Sequence, residues 1–227
     1  MTIAHYDRNE RSTDYAVGDV HGHFTKLQQQ LDAIGFNPDV DRLFSVGDLV
    51  DRGPECDQVL EWIVKPWVHP VRGNHEDMAI RWPRGNMQPA NYLANGGGWN
   101  ISNPTSFQRE ISESLDSLPY AIEVETDAGL VGIMHADCPY GNWDALKSAH
   151  EAGLTKDERE VLLWDRRRIT EMDATPVAGL RALIVGHTPV MQHKVLGNVH
   201  YIDIGAWHYT ERPYLILRLD TLEAAHA

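Results

Sequence analysis

At 227 residues the chain is long enough for one domain with a large buried core, and its 42% hydrophobic and 23% charged residues are ordinary for a globular protein. No apolar run approaches a transmembrane span, and the two cysteines, Cys56 and Cys138, lack the spacing of a zinc ribbon or a disulfide framework. A net charge of −13, with no basic run longer than Arg166-Arg167-Arg168, excludes the basic footprint of a tight nucleic-acid binder, so an anionic substrate must be gripped by metal ions and a few placed arginines.

The segment from Met1 to Asp14 is polar and lacks the apolar centre of a signal peptide. Residues 1–11 read as a flexible tail. Tyr15-Ala16-Val17 is a short buried strand that ends in Gly18-Asp19-Val20-His21-Gly22. Leu27, Leu31 and Ile34 then give one apolar stripe, a helix closed by Gly35 before the Asn37-Pro38 turn. Strand 43–46 runs into Gly47-Asp48-Leu49-Val50-Asp51-Arg52-Gly53. Val59, Leu60 and Ile63 form the apolar face of the next helix, and strand 67–71 ends in Arg72-Gly73-Asn74-His75-Glu76. This β-α-β-α-β order predicts parallel strands with right-handed crossovers.

Met78 to Trp82 continues as a short helix, whereas 83–104, rich in Gly, Pro and Asn, reads as a long aperiodic loop. Ile111, Leu115 and Leu118 mark another helix. Strands 120–125 and 130–134 form a hairpin through Asp127-Ala128-Gly129, and the second delivers His135. Residues 139–180 are loop and helix. Strand 183–185 ends in Gly186-His187-Thr188-Pro189, Gly197-Asn198 separates two further strands, and 214–219 is the last strand. One domain over 1–227 is expected, with 221–227 as a second flexible tail.

Five strand ends thus carry Asp, His, Asn or Arg, at the edge where open α/β sheets place ligands. Two divalent metals about 3.5–4 Å apart can share a carboxylate and clamp a displacement at phosphorus, using carboxylates with imidazole and amide donors. Asp19 and His21 suit one metal, Asn74, His135 and His187 the other, with Asp48 as bridge. Water on such a metal loses a proton near neutral pH. His75 is then the candidate general acid, Asp51 its orienting carboxylate, and Arg52 and Arg72 suit phosphate oxygens. Taken alone, Asp51-Arg52 fits an ion pair capping a turn equally well, and two of Arg166 to Arg168 read as a solvated face. His5, His69, His150, His193, His200, His208 and His226 lack a strand-end context and read as structural or exposed.

GDVHG at 18–22, GDLVDRG at 47–53 and GNHE at 73–76 resemble the signature of the PPP-type, calcineurin-like metallophosphoesterases, closest to the bacteriophage lambda type of Ser/Thr phosphatase. The resemblance runs from about 15 to 215 and takes in Phe36, Asn95 to Trp99, His135-Ala136-Asp137, Gly186 to Pro189 and Tyr201-Ile202-Asp203. It implies an α+β fold, a β-sandwich of two mixed sheets flanked by helices, and two divalent ions, manganese first, with iron, zinc or nickel as alternatives. It assigns Asp19, His21 and Asp48 to one metal and Asp48, Asn74, His135 and His187 to the other. It makes His75 the general acid paired with Asp51, and Arg52 and Arg72 phosphate binders; Leu163 to Arg166 resembles the segment that supplies a third such arginine, which selects Arg166.

Two positions depart from the pattern. His23 stands where relatives often have cysteine and reads as a metal neighbour or as a surface group. Trp207-His208-Tyr209 follows the last site strand and is a candidate for shaping substrate choice. The expected function is a protein Ser/Thr phosphatase of the cytoplasm, acting on a phosphoprotein or phosphopeptide and on simple aryl phosphates, without nucleic-acid or membrane partners; the sequence leaves the oligomeric state open, with a monomer ahead of an oligomer. A dinucleoside tetraphosphate hydrolase is the alternative on the same scaffold, ahead of phosphodiester hydrolysis; intact Val50-Asp51-Arg52-Gly53 favours the phosphatase. A non-catalytic, metal-binding docking protein is the reading from another class.

Overall fold

A computed structural model of the chain describes residues 3–225. The elements, in order, are β1 (Ala4–Tyr6), β2 (Asp14–Val17), α1 (Phe24–Ala33), β3 (Arg42–Ser45), α2 (Val59–Trp62), β4 (Val68–Pro70), α3 (Asn74–Arg81), α4 (Pro89–Ala94), α5 (Gly98–Ile101) and α6 (Thr105–Asp116). The second half holds β5 (Ala121–Thr126), β6 (Gly129–Met134), α7 (Trp143–Ala152), α8 (Lys156–Trp164), α9 (Arg167–Glu171), β7 (Ala182–Val185), β8 (Lys194–Leu196), β9 (Val199–Tyr201) and β10 (Ile216–Arg218).

Two mixed sheets result, ordered β10-β2-β3-β4 and β1-β5-β6-β7-β9-β8. The expected parallel trio β2, β3 and β4 stands side by side, and β10 closes that sheet antiparallel to β2. Strand residues alternate between two buried layers rather than between core and water. Ala16 and Phe44 meet Ile122, Val124, Val131, Ile133 and Ile184 between the sheets, while Tyr15, Val17 and Leu43 face outward onto helices. The outer face of the second sheet, including Met134, Leu183 and Val185, packs under α7 and α8 through Trp143, Leu146 and Leu162. A strand buried on both faces loses its polar side, which is why these segments read as continuous apolar runs.

Three expectations are corrected. Of the tail expected over 1–11, residues 3–11 are not loose: β1 pairs in parallel with β5, and Tyr6 sits edge-on to Phe44 at 5.1 Å with its hydroxyl 3.1 Å from His69 Nδ1. The C-terminal stretch is also tied down, since Ala225 N–H donates to Ile216 O at 2.8 Å; of the two predicted tails, residues 1–2 and 226–227, with His226, lie outside the described residues. The aperiodic stretch 83–104 contains α4 and α5, each too short to show a helical period. Among the described residues no helix is long and apolar enough to cross a membrane.

Because Tyr6 packs against Phe44 and lies 5.6 Å under the Arg42 guanidinium, Tyr6→Ala should destabilise the fold by about 1–3 kcal/mol. In thermal unfolding that appears as a loss of about 2–4 °C per kcal/mol, whereas a tail residue would leave the midpoint unchanged.

Candidate metal centre

Strands β2, β3, β6 and β7 all end at one edge of the sandwich, and the loops that leave them turn sharply. His21, Asp48, Asp51, Arg52 and His187 adopt positive φ, between 45° and 72°. For residues with a side chain this left-handed backbone costs about 1–3 kcal/mol each, a cost concentrated at ligand sites. The close approach leaves no room for a Cβ at Gly73 or Gly186, which would overlap the carboxylates of Asp48 and Asp19.

The clusters predicted from separate strand ends converge on Asp48. Its carboxylate lies 3.6 Å from His21 Nε2 and 3.4 Å from His135 Nε2. Two groups of possible ligand atoms share it: His21, Asp48 and His75, and Asp48, His135 and His187. Asn74 Oδ1 joins the second group, 2.7 Å from His135 Nε2 and 2.9 Å from His187 Nδ1. Asp19 sits beside the pair, its carboxylate accepting from His187 N–H at 3.2 Å. In the first group His75 occupies the place expected for Asp19.

Charge decides what this arrangement needs. His21 Nδ1 donates to Val50 O and His135 Nδ1 to Val46 O, both at 2.8 Å, so each Nε2 presents a bare lone pair to the Asp48 carboxylate. Burial lowers the pKa of both rings and holds His187 down to about 3, which keeps them neutral. Asp48 is held below the usual carboxylate range: burial opposes its charge, while the raised His75 ring and the His75 backbone N–H favour it. Asp19 is raised by burial, then by Asp203 and Asp48, and Asp203 is pushed up to about 6 by burial and then by Asp48. Asp203 Oδ2 is buried and has no hydrogen-bond partner. A divalent cation would bind neutral imidazoles and crowded carboxylates alike, and the Asp/His/Asn donor set fits a dinuclear divalent site.

Around the pair stands a hydrogen-bonded relay. His75 Nδ1 donates to Asp51 Oδ2 at 2.8 Å, and Trp99 Nε1 donates to Asp51 Oδ1 at 2.7 Å. Burial pulls the His75 pKa down, but Asp48 and Asp51 together raise it above the usual value. The Arg52 guanidinium reaches His21 Nε2 and lies 2.9 Å from His75 Nε2. Arg166 Nε lies 3.1 Å from His187 Nε2, so it reaches the site from the far side. The arginine triplet is otherwise split: exposed Arg167 pairs with Asp165, but Arg168, expected on a solvated face, is buried against Asp137 at 3.0 Å. Arg72 stands apart from the other phosphate candidates, buried and paired with Asp116 at 2.8 Å. His23 turns its Nδ1 to His21 O at 2.7 Å, beside the site rather than in it.

Glu76, Asp203 and Trp99 carry roles that motif reading did not assign. Glu76 is fully buried and accepts from the backbone N–H groups of Asp48, Leu49, Val50 and Gly73 at 2.7–3.3 Å. One carboxylate thereby pins the Asp48 loop to the start of α3. Its signal was the position after Asn74-His75, where a helix faces inward and a surface glutamate has no reason to stand.

A family model described as "Calcineurin-like phosphoesterase" matches residues 15–191. The chain is 35% identical over 196 residues to "Serine/threonine-protein phosphatase 1" of Salmonella typhimurium, covering 85% of this chain and 86% of that one. It is 47% identical to a symmetrical bis(5'-nucleosyl)-tetraphosphatase of Chromobacterium violaceum, but over only 64 residues, 27% of this chain and 23% of the other. Among solved structures it resembles a cold-active protein tyrosine phosphatase, with a TM-score of 0.66 at 19% identity over 97% of this chain and 76% of that one, a likeness of fold.

Replacing Glu76 by Gln puts an amide where one oxygen accepts from N–H groups, so the Asp48 loop should loosen. Affinity for a divalent ion is expected to fall about 10–100-fold while far-UV circular dichroism is unchanged. Titration with manganese checks this.

Proposed function

The chain belongs to the calcineurin-like phosphoesterase family, and from that premise we propose that it is a dinuclear-metal phosphatase acting on phosphoserine and phosphothreonine in proteins. The observation that carries the reading is the Asp48 carboxylate, flanked on both sides by neutral imidazoles and backed by the Asp51–His75 pair. The proposed ligands are Asp19, His21 and Asp48 for one ion and Asp48, Asn74, His135 and His187 for the other, with manganese the first choice for this O/N donor set.

When bound, two divalent ions acidify nearby water and draw negative charge from the phosphoryl oxygens. The chain's own groups do the rest. Arg52, at the mouth beside His75, and Arg166, beside His187, present guanidinium donors to the remaining phosphate oxygens. Arg72 joins them only by sharing its charge with Asp116. Asp51 takes the Nδ1–H of His75 and favours the imidazolium, and Nε2, which accepts from Arg52 at 2.9 Å, carries the second proton once a phosphate oxygen draws the guanidinium away. As the ester P–O bond breaks, that proton passes to the leaving alkoxide, and water supplies the oxygen that completes inorganic phosphate. Trp99 fixes Asp51 and thus the ring plane of His75.

A second reading, dinucleoside tetraphosphate hydrolysis, draws on the local match to a tetraphosphatase. Phosphate release from a phosphoserine protein, assayed beside ADP and AMP formation from diadenosine tetraphosphate with manganese present, separates the two. Release from the phosphoprotein alone is expected; cleavage of the dinucleotide alone would overturn the phosphatase reading.

His75→Asn should keep both metals yet lose about 10²–10⁴ in kcat. Loss of one metal equivalent in that variant would instead make His75 a ligand, as its grouping with His21 and Asp48 permits. Asp48→Asn should fail at the earlier step, binding neither ion firmly; metal analysis after gel filtration reads both variants.

A further inference from the structure

Tyr201-Ile202-Asp203 runs out of β9 toward the metal centre, and the proposed reaction gives Asp203 no part. The residue is 2% exposed. Its Oδ1 accepts from Gly205 N–H at 2.8 Å, and the left-handed backbone of Gly205 (φ 69°) lets the chain turn back to make that bond. Oδ2 is closed off from solvent and meets no donor. The nearby Tyr214 hydroxyl does not serve it, because that group donates to Val20 O at 3.0 Å. Buried carboxylate oxygens are seldom left in this state, since an unmade hydrogen bond costs more at a charged group than at a neutral one.

Backbone contacts fix where this oxygen stands. A Cβ on Gly18 would lie 2.7 Å from Ile202 O and 3.0 Å from the Asp203 Cα, so the end of β2 and the end of β9 touch although they belong to different sheets. On the other side Ile202 N–H donates to Val185 O and Asp203 O accepts from Val190 N–H, both at 2.9 Å. Asp203 is therefore held from two sides and cannot withdraw. Its side chain meets that of Asp19, whose two oxygens share the His187 N–H at 3.2 Å. Two buried carboxylates in contact need positive charge beside them or a proton between them. Arg52, the guanidinium in range of both, is engaged at the mouth by His21 and His75. A divalent ion at Asp19 would supply the charge.

Resting on the dinuclear-metal reading, we infer that Asp203 is a positioning residue of the metal centre: an outer carboxylate whose charge strengthens the hold of Asp19 and His21 on their ion. It acts through Asp19 and binds no ion itself. A negative charge behind a ligand raises the attraction of that ligand for a cation, and the same charge destabilises the metal-free fold. That opposition separates the role from a structural one, because a residue kept for stability would have both its oxygens paired.

The test is a manganese titration of the metal-free full chain, read by calorimetry and electron paramagnetic resonance, beside thermal unfolding of the metal-free form. Asp203→Asn keeps the size of the side chain and the bond from Gly205 N–H, and offers an amide donor to Asp19. It should raise the metal-free unfolding midpoint by about 2–4 °C. It should also weaken one of the two ions about 10–100-fold and leave the other unchanged. The ion that stays should give the same resonance spectrum in Asp203→Asn as in Asp19→Asn, which removes a ligand of the weakened site. Asp203→Ser, smaller and still able to accept from Gly205 N–H, should show the same selective loss and decides the matter if the Asn variant does not fold. Unchanged affinity for both ions would overturn the proposal and leave Asp203 sharing a proton with Asp19. A lower midpoint with both ions weakened alike would also overturn it, making Asp203 a support of the fold. Uptake of fewer than two ions by the unaltered chain would instead remove the dinuclear reading on which the proposal rests.

Discussion

Everything at the sheet edge depends on a charge imbalance. Asp19, Asp48 and Asp203 are buried within interaction range of one another, and two of the three rings that face Asp48 through Nε2, His21 and His135, are kept neutral by burial. Isolated burial of such carboxylates costs several kcal/mol apiece, so a fold that assembles them needs cations to settle there. Arg52 is a poor substitute. It stands exposed at the mouth, where it touches His21 and His75, and can neutralise only part of the site.

That imbalance is sustained by groups that never meet substrate. Glu76 ties four backbone N–H groups of the Asp48 loop and its neighbour into one cradle, and five site residues hold left-handed backbone. Val50 O and Val46 O fix which nitrogen of His21 and His135 is bare. The sandwich pays for this strain with apolar layers buried on both faces of each sheet, whose packing around Phe44, Ile122, Ile133 and Ile184 is independent of the site. Stability and chemistry are thus separated in space: strands supply the first, the turns at their ends supply the second.

The surroundings of Asp48 are graded outward. Next to it come Asp51 and Trp99, which orient His75; beyond them stand Arg52 and Arg166, reaching in from opposite sides; outermost lies the braced aromatic row from Trp207 to Tyr209.

Much of this was legible in the chain. The parallel trio, the hairpin at 127–129 and the strands that deliver His135 and His187 follow from apolar runs bounded by Gly, Pro and Asn, and each residue proposed as a ligand stands directly after such a run. Local sequence determines these because strand propensity, turn chemistry and ligand type are all set within a few residues. Other features required the tertiary structure. Nothing near Tyr6 announces its partner Phe44, thirty-eight positions on, so β1 read as a tail. The roles of the three adjacent arginines were set by where Asp137, Asp165 and His187 arrive in space. Arg72 has the motif position of a phosphate group yet is claimed by Asp116, and Trp207 meets Arg52 only because two distant loops close over the same edge. Local sequence sets which residue types stand at the strand ends; the packing of two sheets sets which of them share a charge, because that depends on distances between segments far apart along the chain.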